Sequence, residues 1–147
     1  MTTNEIERNK ATVARFLAGT HSADIEAVSV IDETVVPHIR CHGFPGFPGG
    51  EFADRDSYKA FFRVFRQSFS DMDFTTLHTV AAGDYVSAHW SIEATHSGSF
   101  QGIAPDGRRV VFDGVALYRL EDGRIAETWL RINEPMLIAQ LGVSAAA

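Results

Sequence analysis

The sequence predicts an α+β fold in which helices cover one face of an antiparallel sheet. In the first half of the chain apolar residues recur at helical spacing, and after Ser70 the period drops to two. Turn chemistry supports the second half: Ala82-Gly83-Asp84, Asp106-Gly107 and Asp122-Gly123 each put glycine where a hairpin needs positive φ.

Ile6, Val13, Phe16 and Leu17 form one apolar stripe, which predicts an amphipathic helix over 4–17. A shorter helix is expected over 23–31. Asp54 or Asp56 caps a third, in which Tyr58, Phe61, Phe62, Phe65 and Phe69 make an aromatic face. The segment Val35 to His42, β-branched around Pro37, reads as extended. Residues Gly43 to Gly50 alternate glycine and proline with Phe44 and Phe47, a shaped loop that offers apolar side chains over something. Strands are expected near 77–80, 85–96, 110–120 and 125–133, followed by a helix-like segment from Glu134. Residues 143–147 are expected to fray.

Length and composition narrow the function. The 147 residues make one domain, 1–147, and 45% apolar content with 11 Phe, 3 Tyr and 2 Trp suffices for a sizeable core or pocket. The net charge of -6 contains no Lys/Arg run, so nucleic acid is not an expected partner. Cys41 is the single cysteine and forms no internal disulfide. The polar, acidic start does not resemble a signal peptide, and no apolar run approaches the roughly 18 residues that span a bilayer. A cytoplasmic protein without membrane contact is the expectation. Neither a Gly-x-Gly-x-x-Gly turn nor a Walker loop is present, so no nucleotide or flavin is expected. His38 and His42 lie about 13 Å apart on an extended segment, too far to share a metal, and no metal site is expected.

Three stretches carry a family likeness: Gly98 to Val110, Asp122-Gly-Arg-Ile-Ala-Glu-Thr-Trp129, and Gln140-Leu-Gly142. The chain resembles the SnoaL-like polyketide cyclases and hydroxylases of the nuclear transport factor 2-like superfamily, including the anthracycline-tailoring hydroxylases. That resemblance implies a cone-like fold, with three N-terminal helices packed on a strongly curved antiparallel sheet around a pocket. It further implies a homodimer without bound cofactor that acts on an aromatic polyketide. The family's aldol cyclases carry an acidic residue four places after the tryptophan, where this chain has Asn133, which exchanges no proton at neutral pH.

Strand parity then sorts candidate residues. In the strand from Tyr85 the inward set is Val86, Ala88, Trp90, Ile92, Ala94 and His96, with Tyr85, Ser87, His89 and Ser91 on the outer, dimer-forming face. In the next two strands the sets containing Asp113 and Arg119, and Trp129, Arg131 and Asn133, are expected on the pocket wall. His42, Asp113, Arg131 and Asn133 are the catalytic candidates; Trp90, His96, Arg119, Trp129, Phe62 and Phe65 are the substrate-binding candidates. Alternatives stand beside them: Asp113 at a solvent-facing bulge, Arg119 flanking a hairpin, His42 as a surface histidine, and Asn133 as an N-cap with Pro135 in the first helical turn.

Two reactions fit the resemblance. A hydroxylase would use Arg119 and Arg131 to stabilise a peroxide formed from molecular oxygen as co-substrate, with a separate quinone reductase supplying reduced substrate. An aldol cyclase would need Asp113 or His42 as the base that Asn133 cannot be. The hydroxylase comes first on this reading. A non-catalytic binding or dimerisation module, with a filled pocket, is the alternative of another class.

Overall fold

The computed structural model describes residues 2–141, so Gly142 of the terminal motif and the expected fraying of 143–147 lie outside the described residues. Thr2 opens α1 (Thr3–Thr20) by accepting a hydrogen bond at Oγ1 from the Glu5 amide, 3.1 Å away. Instead of one helix over 23–31, a 3-10 turn capped by Asp24 covers Ile25–Val30 and runs into the short α2 (Ile31–Thr34). The extended segment is β1 (Val35–His42). Asp54, not Asp56, caps α3 (Arg55–Ser68), accepting from the Ser57 amide at 2.6 Å. Four strands follow, β2 (Phe69–Ala82), β3 (Tyr85–His96), β4 (Arg109–Glu121) and β5 (Arg124–Ile132), and α4 (Glu134–Gln140) completes the described chain.

The strands form one sheet in the order β1-β5-β4-β3-β2. Consecutive strands from β2 to β5 pair antiparallel, as expected of hairpins, but β1 pairs parallel with β5. The antiparallel sheet expected of the hairpin-linked strands is present, and β1 adds one parallel edge because it reaches its partner through the rest of the domain and no hairpin dictates its direction. Strand β2 also begins at Phe69 and not near 77. Its register shifts between Ser70 and Asp73, and Asp71 sits at φ 48°, which hides the strand from a period-two reading.

Phe16 of α1 is fully buried and meets Tyr58 at 5.3 Å, Phe62 at 5.9 Å and Tyr118 at 5.8 Å, measured between ring centroids. One ring thus ties α1, α3 and β4 together. The inward face of β3 is the expected set from Val86 to His96, all buried. In β4 the buried set is Val110, Phe112, Ala116, Tyr118 and Leu120, the opposite parity to the one expected. Both sets of that strand are rich in apolar residues, and Val111, Val115 and Leu117 are left exposed on the outer face. In β5 the parity changes midway. Arg119 pairs with Glu127 while Leu120 pairs with Ile125, so Ala126 is an extra residue on β5. Ile125 is inward, but beyond the bulge Thr128, Leu130 and Ile132 are the inward residues.

No helix among the described residues is long and apolar enough to cross a membrane. Gly114 marks the closest approach inside the sheet: a Cβ there would lie 2.5 Å from Cη2 and Cζ2 of Trp90 and 2.9 Å from the Arg131 carbonyl oxygen. Gly114→Ala should therefore displace the Trp90 indole and destabilise the fold by about 1–3 kcal/mol. A denaturant midpoint equal to that of the parent protein would contradict this packing.

Candidate active site

Between the helices and the inner face of the sheet lies an apolar cavity of ≈ 30 Å³, room for about one or two waters. Phe44, Phe61, Phe62, Phe65 and Trp90 supply its aromatic wall. Phe44 comes from the glycine-proline loop and is buried against Phe52, Tyr58 and Phe61, the function expected of that loop. Phe61, Phe65 and Ile132 also line an outer groove of ≈ 250 Å³ that is bounded by Pro45, Gly46, Phe100 and Gln101. These three side chains divide the route from the outer groove to the inner chamber. A larger cleft of ≈ 920 Å³ lies by Arg63, Arg66 and Arg109, but its lining is largely charged and polar, and Arg109 is already paired with Asp73 and Glu93. The aromatic cavity, with its almost wholly apolar lining, is the better small-molecule site.

Besides the Trp90 indole, the polar side chains on the cavity wall are His21, Tyr58, Tyr118 and Thr128. Burial lowers His21 to about 4; the hydrogen bond to the Leu17 carbonyl opposes this, and the charge of Arg66 adds to it. At neutral pH the imidazole is uncharged. Burial pushes the phenols of Tyr58 and Tyr118 well above the usual tyrosine range. Both remain neutral hydroxyls that can donate.

Of the expected site residues, Trp90, Phe62 and Phe65 do line the cavity. His96 is inward and fully buried, but it stacks on Phe69 away from the cavity wall, and its Nε2 has no hydrogen-bond partner. The placement expected for Asp113, Arg119, Trp129, Arg131 and Asn133 is corrected: none of them lines the cavity. The inverted parity of β4 and the Ala126 bulge of β5 turn Asp113, Arg119, Trp129 and Arg131 to the outer face. Arg131 is exposed and donates to the Leu130 carbonyl at 2.7 Å. Asn133 is the N-cap of α4, accepting from the Met136 amide at 3.3 Å while its Nδ2 donates to Asp113 Oδ1 at 2.8 Å.

His42 also lies outside the cavity, stacked on Trp129 at 5.4 Å. Its Nδ1 is 2.8 Å from Glu51 Oε1 and its Nε2 is 2.7 Å from Glu127 Oε2. Only an imidazolium donates at both nitrogens. Burial disfavours that charge, but the hydrogen bonds and charges of Glu51 and Glu127 outweigh it and hold His42 above the ordinary histidine range. Arg40 and Arg119 complete the cluster around Glu127. A second outer cluster joins His89 Nε2 to Asp113 Oδ2 at 2.9 Å and His89 Nδ1 to His78 Nδ1 at 3.0 Å. The 5.3 Å between these two ring centroids equals the nitrogen separation plus the two ring radii, so the imidazoles lie edge to edge in one plane. His89 Nε2–H donates to the carboxylate, and one of the two Nδ1 atoms donates to the other. Among the described residues no three His, Cys, Asp or Glu side chains converge as around a metal ion.

Sequence reasoning missed His21, Tyr118 and Thr128. His21 lay one turn beyond the expected helix end, although Val13, Leu17 and His21 continue one helical face at intervals of four. Tyr118 and Thr128 needed the correct strand parity.

The SnoaL-like polyketide cyclase family model matches residues 11–141, and the chain belongs to that family. A SnoaL-like polyketide cyclase proposed from Jannaschia sp. CCS1 shares the fold at TM-score 0.86 with 20% identity, over 98% of each chain. AclR of Streptomyces galilaeus, a proposed hydroxylase, is 26% identical at TM-score 0.78, over 93% of this chain and 97% of that one. IdmH of Streptomyces antibioticus, a proposed polyketide cyclase, is 29% identical at TM-score 0.76, over 92% of this chain and 99% of that one. No curated protein matches the sequence.

The two perturbed histidines give stability opposite pH slopes. His21 is neutral in the fold down to about 4, while the unfolded chain takes up its proton near 6.5. Stability should therefore fall by an amount on the order of 3 kcal/mol as pH drops from about 6.5 to about 4. His42, raised in the fold, contributes stability below 6.5 that is lost as pH rises through its folded value. Urea titrations from pH 4 to 8 should show a shallower acid-side slope in His21→Phe than in the parent. Identical slopes would mean that His21 titrates normally.

Proposed function

We propose that the aromatic cavity accepts a flat polyketide and transforms it by acid–base chemistry without a bound cofactor, with intramolecular aldol closure as the leading reaction. The observation that carries this reading is the cavity's set of polar groups: one neutral imidazole, three hydroxyls and the Trp90 indole, with no Lys or Arg on the wall. The outward placement of Arg119 and Arg131 removes the cationic support that a hydroxylase would draw on to stabilise a peroxide. A neutral base with hydroxyl donors suits enolate formation α to a carbonyl.

Hydroxylation is the second reading, favoured by the likeness to AclR. It would take molecular oxygen as co-substrate and need a separate quinone reductase. The small inner volume favours a third, a non-catalytic binding or dimerisation module. For any substrate larger than a few atoms, Phe61 or Phe65 must turn to join the inner chamber to the outer groove.

We also propose a homodimer formed through the outer sheet face, where Tyr85, Val111, Val115 and Leu117 are exposed. Light scattering should return twice the chain mass at micromolar concentration; a monomer would contradict this pairing.

The reaction is tested with a linear aromatic polyketide ester under nitrogen and under labelled O₂. The expected product is a ring-closed isomer of unchanged mass, formed equally in both atmospheres. A product carrying one labelled oxygen, formed only in air, would establish the hydroxylase instead. Saturable binding without turnover in either atmosphere would establish the module.

A further inference from the structure

We propose that His21 is the catalytic base of this cavity, acting through Nε2 on an aromatic ketone or β-keto ester whose rings lie against Phe62 and Trp90. The proposal rests on the acid–base reading above. Its ground is a tautomer fixed by geometry. His21 Nδ1 lies 2.9 Å from the Leu17 carbonyl oxygen, which can only accept. It also lies 3.0 Å from Thr20 Oγ1, whose own proton is donated to the Phe16 carbonyl at 2.9 Å. Nδ1 must therefore carry the proton, which leaves a bare lone pair at Nε2 on a ring that lines the cavity.

The ring is also held in place. Phe74 stacks on one face with centroids 4.0 Å apart, and Phe62 meets the ring edge-on at 5.5 Å. Arg66 of α3 donates to the carbonyls of Thr20 and Ser22, on either side of His21, and so fixes the turn that presents it. The charged and titratable groups around the imidazole are few. Arg66 disfavours a second positive charge, Tyr58 and Tyr118 share the cavity wall as neutral hydroxyls, and the β2 side chain stacked on the ring, Phe74, is uncharged. With burial pushing it down to about 4, the imidazole is unprotonated throughout the neutral range. An enolate formed beside it supplies the opposite charge that stabilises the imidazolium for the length of the step.

The chemistry balances without an oxidant or reductant. Nε2 takes the proton from the carbon α to the substrate carbonyl, and the C–H electron pair becomes the enolate, whose oxygen accepts a hydrogen bond from a tyrosine hydroxyl. The enolate carbon then forms the new C–C bond to a second carbonyl carbon. The π pair of that carbonyl moves to its oxygen, and the resulting alkoxide takes the proton back from Nε2. Neutral His21 and a β-hydroxy ketone are the outcome.

The test uses the whole protein with 2-acetylnaphthalene in D₂O, following deuterium uptake at the methyl carbon by mass spectrometry. Long-range ¹⁵N–¹H correlations of His21 are recorded in parallel. The wild type should accelerate uptake, His21→Phe and His21→Gln should lose about a hundredfold or more of that acceleration, and the spectra should show the Nδ1–H tautomer. Circular dichroism of both variants guards against loss of fold, with His21→Gln standing in if His21→Phe does not fold. Uptake by both variants at the wild-type rate would overturn the role of His21 and leave the acid–base reading standing. An Nε2–H tautomer would overturn the role directly. No acceleration by the wild type, with the probe bound as reported by tryptophan fluorescence, would overturn the acid–base reading and the base with it.

Discussion

The aromatic face of α3 is the constraint on which the rest of the structure depends. Tyr58, Phe62 and Phe65 cannot be left in water, and Phe16 and Phe112 are the rings that meet them, with Tyr118 packed in turn on Phe16. Truncating a buried aromatic of this kind typically costs about 3–5 kcal/mol, a large fraction of a domain's stability. The site is the place where these same rings fail to close completely. Core and cavity wall are one set of residues, so changes that open the chamber draw on the packing that holds α1 and α3 to the sheet.

Much of this was legible in the sequence. The helical stripes located α1 and α3, the glycine-bearing turns located the hairpins, and the glycine-proline loop was read as a device that delivers phenylalanines, as Phe44 does. What failed was the assignment of faces. In β4 both alternating sets contain large apolar residues, so periodicity alone could not say which one is buried. In β5 the extra Ala126 broke the alternation on which any parity argument relies. His21 escaped because α1 runs on to Thr20 and the histidine follows as its C-cap.

The misplaced polar residues also reverse an argument. Asp113, Arg119 and Arg131 drew attention as charges on an apolar wall, where each would need a strong reason to be buried. On the outer face they need none. Glu127 is the exception there, a largely buried carboxylate held by His42, Arg40 and Arg119 in spite of its desolvation. That cluster joins β1 to β5 at the sheet's one parallel pairing, where no hairpin connects the strands.

The bulge at Ala126 gives β5 two reading frames for its side chains. Ile125 is inward in the first, and Thr128, Leu130 and Ile132 are inward in the second. In a relative lacking that one residue, pairing with β4 would keep the counterparts of Glu127, Trp129 and Arg131 on the outer face, but each would stand one place nearer the glycine turn. Site residues therefore cannot be carried between members of the family by counting from the glycine turn at Asp122-Gly123. They can be carried only by counting back from the α4 cap, on the far side of the bulge.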